Sequence, residues 1–432
     1  MTRVYHTFEV EDISLLKQQM LNWGNRFNIC CFLDNQQYSS SYHSYESLLA
    51  VGSVGAFEPG ADFLSSLSDF LQTNRDWIFG HFNYEIAQKF EKVYADEIHP
   101  ASFPHCFLFV PQVVLLLKQN RLTIGAINES PISIFSDLLQ DKAPVKTSHV
   151  ISFSQKISRE EYLNVVLNLK KHIHHGDCYE INFCQEFFAN ANIDPASVFL
   201  QLTKISPNPF SAFYRVNDNY LLSASPERYL KKTGDKMISQ PIKGTAARSA
   251  DSFEDEVNKK VLRDSAKDKS ENVMIVDLVR NDLSKICREG SVVVEELFAV
   301  YSFPHVHQMI STIGGILRKD ADFADIMKAT FPMGSMTGAP KKKVMELIEK
   351  YEKGKRGIYS GTVGYFTPDK DFDFNVVIRS IVYNDKTKYL SFHTGGAITA
   401  SSEPEKEYEE CLLKGKAILK VFSGEAEQPF VS

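Results

Sequence analysis

The chain has little of what most recognisable sites are built from. Its seven cysteines (Cys30, Cys31, Cys106, Cys178, Cys184, Cys287 and Cys411) are odd in number and show no C-x-x-C spacing. That excludes a cysteine-built metal site and fits reduced, mostly buried thiols in a cytoplasmic protein. No run approaches the roughly 18 apolar residues of a membrane span. The start, Met1-Thr2-Arg3-Val4-Tyr5-His6, lacks the apolar core of a leader. Net charge is −6 with both signs mixed, which gives neither the clustered basic footprint of a nucleic-acid binder nor a polybasic membrane contact. There is no phosphate loop, no dinucleotide fingerprint, no repeat of 20–50 residues and no low-complexity tract.

What is present is core-forming material. Of 432 residues, 43% are apolar and 12% aromatic, enough for two units of about 150 residues or one large intertwined one. Residues 1–150 read as scaffold. Helices are expected over 10–23, 63–71 and 84–93, strands over 28–33 and 77–82, and a hairpin from the apolar run 106–117 into 121–127. The polar stretch 141–149 is the best linker, separating this part from 151–424. There Ser158-Arg159-Glu160-Glu161 forms a capping box whose helix stops at Gly176. A strand follows over 178–188, and strands over 210–216 and 220–224 pair. The longest helical stretch, 252–286, breaks near 266–270. Pro340 opens a helix at its first position. Strands over 361–366, 374–383 and 389–393 precede a last helix, 404–421, capped by Ser402. Helices and hairpins are interspersed without strict strand–helix alternation, so the fold class is α+β with large antiparallel sheets.

Four groups of residues could carry chemistry. Asp268 and Glu271 are three apart, as are Glu407 and Glu410, so each pair shares a helix face. Brought together they offer hard oxygen ligands suited to Mg²⁺; kept apart they are solvated surface. The apolar run after Glu271, Asn272 to Val279, is too apolar for an exposed face. Two glycine loops, Thr394-Gly395-Gly396-Ala397 and Gly334-Ser335-Met336-Thr337-Gly338-Ala339-Pro340, could bring backbone N–H groups to an anion or simply be turns. Arg379, in an apolar strand, needs an anionic partner from protein or ligand. His305 and His307 face the same way on a strand, with no third metal ligand in view. Lys243, between Pro241-Ile242 and Gly244-Thr245, is either a solvated loop charge or a nucleophile shielded from water.

With these residues the chain resembles the chorismate-utilising enzymes over about residues 155–420. The likeness rests on Gly176 to Asn182, Ser225-Pro226-Glu227-Arg228, Pro241-Ile242-Lys243-Gly244-Thr245, Glu271-Asn272 and Asp277 to Asp282. It continues through Phe331 to Lys341, Gly357 to Tyr365, Ile378-Arg379-Ser380, Thr394 to Ile398 and Glu407 to Glu410. The resemblance implies two large antiparallel sheets packed as a sandwich with helices outside. It implies Mg²⁺ on Glu271 and Glu410, helped through water by Glu407 and Asp268, and holding the ring carboxylate of chorismate. Tyr359, Arg379 and the backbone of Gly395, Gly396 and Ala397 would meet the enolpyruvyl carboxylate. Gly244 and Thr245 would lie beside the ring, and His307 and Ser335 would line the pocket. Glu180 stands where relatives often carry glutamine, and its role is open.

The resemblance also separates branches. Anthranilate synthases resemble Pro-Ile-Ala-Gly-Thr where this chain has Lys243; aminodeoxychorismate synthases resemble Pro-Ile-Lys-Gly-Thr. The implied reaction is amination of chorismate at C4 through a covalent bond to Lys243, on the way to 4-aminobenzoate and folate, with Glu227 as the acid and base. Glu227 could instead be a structural partner of Arg228 or Lys243. Lys243 must be partly neutral, so its pKa is expected to be lowered. No glutaminase sequence is found, so ammonia is expected from a separate glutaminase subunit. No lyase part is expected, and the Leu-Leu-Glu-Ser signature of tryptophan-feedback sites is not seen in the N-terminal half. An anthranilate synthase with an atypical lysine and a non-catalytic chorismate-binding regulatory subunit are the alternatives.

Overall fold

The computed structural model describes residues 2–38, 42–90, 103–141, 150–303 and 306–423. His305, most of the expected linker (142–149) and the end of the helix expected over 84–93 lie outside them.

Two antiparallel sheets dominate. One of twelve strands runs Val4–Glu9, Arg121–Ala126, Val113–Lys118, Ser47–Val51, Ile29–Asp34, Phe210–Val216, Asn219–Ser225, Ser380–Asn384, Tyr389–Ile398, Glu180–Asn190 and Gly338–Ala339, with Ser154–Gln155 beside Glu180–Asn190. One of ten runs Ile242–Ala247, Val306–Ile316, Lys236–Gln240, Arg228–Thr233, Phe372–Asn375, Thr362–Phe366, Ile78–Phe82, Cys106–Val110 and Gly55–Ala56, with Val293–Ser302 also on Val306–Ile316. Residues on both sides of position 150 enter both sheets: Ile29–Asp34 pairs with Phe210–Val216, and Ile78–Phe82 with Thr362–Phe366.

Strand side chains alternate between faces, so each sheet has an inner and an outer apolar layer. Between the sheets lie Cys31, Ala50, Phe79, Phe109, Tyr214, Leu221, Val363 and Val382. The outer face of the larger sheet packs on helices Ile13–Gly24, Arg159–His174, Pro195–Ile205 and Pro404–Phe422 through Met20, Tyr162, Phe199 and Ile418. The outer face of the smaller packs on Phe63–Thr73, Ala266–Ser284 and Phe323–Thr330 through Leu67, Val276 and Met327. Each fully buried Phe or Leu in these layers contributes about 1.5–3 kcal/mol. The expected α+β sandwich with outer helices is therefore the observed one.

Local signals held where a mechanism backed them. Ser158 and Glu161 form the reciprocal capping box that opens Arg159–His174, and Gly176, at φ +84, follows its end. Elsewhere the structure corrects the expectation. Of the apolar run 106–117 only Val113–Lys118 forms the expected hairpin with Arg121–Ala126; Pro111 and Gln112 set it off from Cys106–Val110, which joins the other sheet. The long helical stretch breaks at Ser265, which ends Ser252–Asp264 and caps Ala266–Ser284. Glu403, not Ser402, stands at the N-cap of the last helix, and Pro340 is the N-cap rather than the first residue of Lys341–Tyr351. Strands at Val4–Glu9 and Ser47–Val51 and the helix Pro131–Gln140 had no expectation to meet.

Candidate active site

The site forms where the ends of the two sheets meet. Ile242–Ala247 is the terminal strand of the smaller sheet, and Glu180–Asn190 lies near the edge of the larger. Pairing of Ile242–Ala247 with Val306–Ile316 slips by one residue between Ile242 and Thr245. Such a bulge re-aims a side chain and favours glycine. Here it spans Lys243-Gly244; Gly244 has φ +87, and a Cβ on it would stand 2.9 Å from Asp268 and from Leu262. The bulge turns Lys243 inward. Its Nζ donates to Glu180 Oε1 at 2.9 Å, with side-chain exposures of 11% and 2%. The other Glu180 oxygen is buried and accepts no hydrogen bond.

The expectation of a lowered Lys243 pKa is overturned. Burial does disfavour the ammonium, but Glu180, Glu271 and Glu227 outweigh it and raise the pKa above its ordinary value. The resting amine is an ammonium ion inside a cluster of carboxylates.

Glu227 sits on the turn between Asn219–Ser225 and Arg228–Thr233. It is buried, accepts a 2.7 Å hydrogen bond from Ser335 Oγ, and its carboxyl is pushed up to about 7. Burial is the main cause, opposed by Ser335, Lys243 and Arg379. Arg228 does not use it: Arg228 is paired with Asp373 at 2.8 Å and also donates to Gln240. That answers the structural alternative for Glu227 as far as Arg228 is concerned.

Arg379 is not in a strand. It occupies the link between Phe372–Asn375 and Ser380–Asn384 with φ +50, a conformation that costs a non-glycine residue about 1–3 kcal/mol and clusters at ligand sites. Burial lowers its pKa, and Glu227 is the carboxylate that opposes this. No acceptor among the described residues is hydrogen-bonded to its guanidinium. Tyr359 stacks on His393 at 4.9 Å and lies 3.4 Å from Cys184 Sγ. Cys184 stands opposite Gly395 in the register of Glu180–Asn190 with Tyr389–Ile398, and Asn182 opposite Ala397.

The acidic pairs also converge. A Cβ built on Gly396 lies 3.5 Å from Glu407 Oε2 and from Glu410 Oε1, so the glycine strand passes directly under the last helix. Glu271 is pushed up by burial and by Glu180 and Glu410, while Lys243 and Lys267 oppose. Glu407 is pushed up by burial and by Glu410. For Glu410 burial is outweighed by Lys414, Lys267 and Lys243, and its pKa is lowered. Two lysines not singled out from the sequence take part. Lys267 lies 3.8 Å from Glu271, with Glu410, Glu407 and Asp268 raising its pKa. Lys414 bonds Glu410 at 2.8 Å and the Gly395 carbonyl at 2.9 Å. Each is one helical turn from an acid already noted, the same-face spacing that identified the acids. The run after Glu271 is less buried than expected: Ile275 and Val276 are inside, Val273 and Met274 exposed.

The donor set suits a hard divalent cation. Glu410 disfavours the ionisation of Glu271, and Lys243 and Lys267 favour the ionisation of both. Among the described residues no group of three His, Cys, Asp or Glu side chains is arranged to hold a metal ion by itself; a cation here would need water or ligand oxygens to complete its shell.

Ser335, buried in the Gly334–Met336 turn, reaches Glu227 as noted. Thr245 is exposed beside the bulge. His307 is buried, and both ring nitrogens are engaged, Nδ1 with Ser302 Oγ at 2.9 Å and Nε2 with Asp255 Oδ1 at 3.1 Å. Its strand neighbour is Ala246, and its contacts lead away from Lys243.

Comparison with known proteins gives a consistent result. The family of chorismate binding enzymes matches residues 30–420. Aminodeoxychorismate synthase component 1 of Klebsiella aerogenes is 35% identical over 343 residues, 79% of this chain and 76% of that one. That of Escherichia coli (strain K12) is 34% identical over 344 residues, with the same two shares. The chloroplastic aminodeoxychorismate synthase of Arabidopsis thaliana is 43% identical over 345 residues, 74% of this chain but 37% of that protein. Among solved structures, anthranilate synthase component I from Streptococcus pneumoniae TIGR4 superposes with a TM-score of 0.75 at 23% identity, over 89% of this chain and 94% of that one. MenF, the menaquinone-specific isochorismate synthase from Escherichia coli, gives 0.78 at 15% identity over 98% and 94%. The solved structures share the fold, the curated relatives share the sequence over most of its length, and the chain belongs to the chorismate-binding enzyme family.

Proposed function

We propose that the chain is the chorismate-aminating component of an aminodeoxychorismate synthase, replacing the C4 hydroxyl of chorismate with an amine from ammonia. The observation that carries this reading is Lys243 itself: a largely buried amine, on a strand bulge, among the carboxylates of Glu180, Glu227 and Glu271. Exchange at one carbon is hard in a single step. A lysine amine adding at C2 lets the hydroxyl leave from C4 with an allylic shift; ammonia then adds at C4 and the C2–N bond breaks. Glu227, with a pKa near neutrality, suits both the proton given to the departing hydroxyl and the proton taken from the new amine. Arg379, Tyr359 and the backbone from Gly395 to Ala397 would hold one carboxylate of the substrate, Gly244 and Thr245 would flank the ring, and Ser335 would orient Glu227.

Glu271 and Glu410 would hold Mg²⁺, with Glu407 and Asp268 bonding its waters; the cation would neutralise the ring carboxylate. His307 is assigned to the wall of the pocket, held in place by Asp255. The ammonia would come from a glutaminase subunit, in keeping with the component 1 naming of the bacterial relatives. Among the described residues no helix is long and apolar enough to cross a membrane, and the cysteines are all buried. A reducing compartment such as the cytoplasm fits both.

The test is a product assay with chorismate, Mg²⁺ and ammonium salt. The expected outcome is chorismate loss, formation of 4-amino-4-deoxychorismate seen by mass, and no anthranilate fluorescence. Fluorescent anthranilate as the main product would make the chain an anthranilate synthase, and no turnover would leave a binding subunit. Lys243→Ala is expected to abolish C4 amination.

A further inference from the structure

The proposed chemistry leaves one proton without a destination. Lys243 Nζ is ion-paired with the Glu180 carboxylate at 2.9 Å, and an ammonium has no lone pair with which to attack carbon. Some group must take a proton from Nζ after the substrate has closed the pocket and must return it at the end of the cycle.

Glu180 meets the geometric requirements. Among the described residues it is the acceptor hydrogen-bonded to Lys243 Nζ, at 2.9 Å. Glu227 and Glu271 act on Lys243 only as neighbouring charges. Glu180 is held by backbone on the Glu180–Asn190 strand, opposite Ala339, and its side chain is 2% exposed, so water does not compete for the proton. Its second oxygen is buried without a donor. A carboxylate that only balanced charge would be expected to use both oxygens, since an unsatisfied buried acceptor costs about 1–3 kcal/mol. A carboxylate that must become a carboxylic acid loses nothing there. Moving the proton from Nζ to Oε1 keeps the same hydrogen bond, with donor and acceptor exchanged, and removes two buried charges at once.

We propose that Glu180 is the base that deprotonates Lys243 and later reprotonates it. This rests on the lysine-addition reading above. In the first step Lys243-NH₃⁺ gives a proton to the Glu180 carboxylate. The neutral amine then forms the N–C2 bond, the double bond shifts, the C4–O bond breaks, and Glu227 supplies the proton with which the hydroxyl leaves as water. Lys243 is now a secondary ammonium. Ammonia forms the N–C4 bond, the double bond shifts back, and the C2–N pair returns to Lys243 as a neutral amine. Glu227 takes one proton from the new C4 ammonium, and Glu180 returns its proton to Lys243. Chorismate and ammonia have become aminodeoxychorismate and water, with every side chain restored.

The test uses the full chain with Mg²⁺, chorismate and ammonium salt, following product by mass between pH 6.5 and 9.5. Other charges face the pair: Glu271 and Lys267 from Ala266–Ser284, Glu410 from Pro404–Phe422, and Glu227 with Arg379 behind it. All are unchanged in the variants. Glu180→Gln keeps shape and one acceptor but cannot hold the proton. Its kcat is expected to fall about 10²–10⁴-fold at pH 7, the usual worth of a general base, with chorismate KM within about threefold and a rise with pH as hydroxide takes over. Glu180→Asp keeps the charge but withdraws it from Nζ. It is expected to lose kcat without the alkaline rise, and it serves if the glutamine variant does not fold. Near-wild-type kcat at pH 7 in the folded variants would overturn the assignment and leave Glu180 a counterion. Lys243→Ala, assayed alongside, keeps the two ideas apart. If it stays active, lysine addition itself is wrong; if it is dead while Glu180→Gln is active, only the base is wrong.

Discussion

Glu227→Gln gives a test of the site's electrostatics that needs no substrate. The carboxyl is buried and its pKa is raised from 4.5 to about 7. Below pH 4.5 it is protonated whether the chain is folded or not, and it contributes nothing pH-dependent. Between 4.5 and 7 the unfolded chain releases the proton while the folded chain keeps it, so stability falls as pH rises. Above 7 both forms are ionised and the loss is complete. The shift of about 2.5 units, at roughly 1.4 kcal/mol per unit, amounts to about 3 kcal/mol.

Glutamine does not titrate but can still accept from Ser335. The variant is therefore expected to gain stability relative to wild type as pH rises from 4.5 to 7.5, and to gain no more beyond. At roughly 2.1 cal/mol/K per residue, a chain of 432 residues has an unfolding entropy of about 0.9 kcal/mol/K, so the difference in melting temperature should widen by about 3 °C. Scanning fluorimetry of both proteins across that range reads it directly. A difference that is flat with pH, or that narrows as pH rises, would refute a neutral-range pKa for Glu227 and with it the acid role. The same variant should lose about 10²–10⁴-fold in turnover.

Three further outcomes are expected. Arg379→Leu removes a guanidinium that has no acceptor among the described residues. Chorismate KM should rise about 10- to 100-fold, the worth of a charge-assisted hydrogen bond of about 1.5–3 kcal/mol, while the melting temperature stays level or climbs; a lower melting temperature with unchanged KM would mark the arginine as structural. Glu410→Gln should abolish Mg²⁺-dependent activity and flatten the Mg²⁺ titration of intrinsic fluorescence, and an unchanged titration would place the cation elsewhere. Lys243→Ala should lose C4 amination while still binding chorismate, and full retention of activity with ammonium salt would end the covalent reading.

The α+β class with large antiparallel sheets was legible because its signals are periodic and local; the packing of the sheets as a sandwich came from the family resemblance. Alternation over 210–216 and 220–224, the capping box at Ser158 and the helical spacing over 404–421 each depend on neighbours within a few residues. The acids at 268, 271, 407 and 410 were legible for the same reason. What was not legible depends on distant partners. The bulge that aims Lys243 exists only relative to the Val306–Ile316 strand. The raised pKa of Lys243 needs Glu180, 63 residues away. The positive φ of Arg379 is imposed by the turn that carries it out of the strand. The split of the run 106–117 follows from the two ends joining different sheets, which periodicity within the run cannot express.

The charges explain why these elements must meet. Glu180, Glu227, Glu271, Glu407, Glu410 and Asp268 converge with Lys243, Lys267, Lys414 and Arg379, six acids and four bases. A dicarboxylate entering alone would add negative charge to a site that already has an excess. A divalent cation, if held by Glu271 and Glu410 as proposed, would cancel that excess, would compete with Lys267 for the four acids around it, and would leave Arg379 for the second carboxylate. The strand passes close under both acids at Gly396, where a Cβ would make ordinary van der Waals contact, 3.5 Å from Glu407 and from Glu410. Substrate and cation would therefore form one electrostatic unit with Lys243, whose pKa Glu180, Glu271 and Glu227 raise.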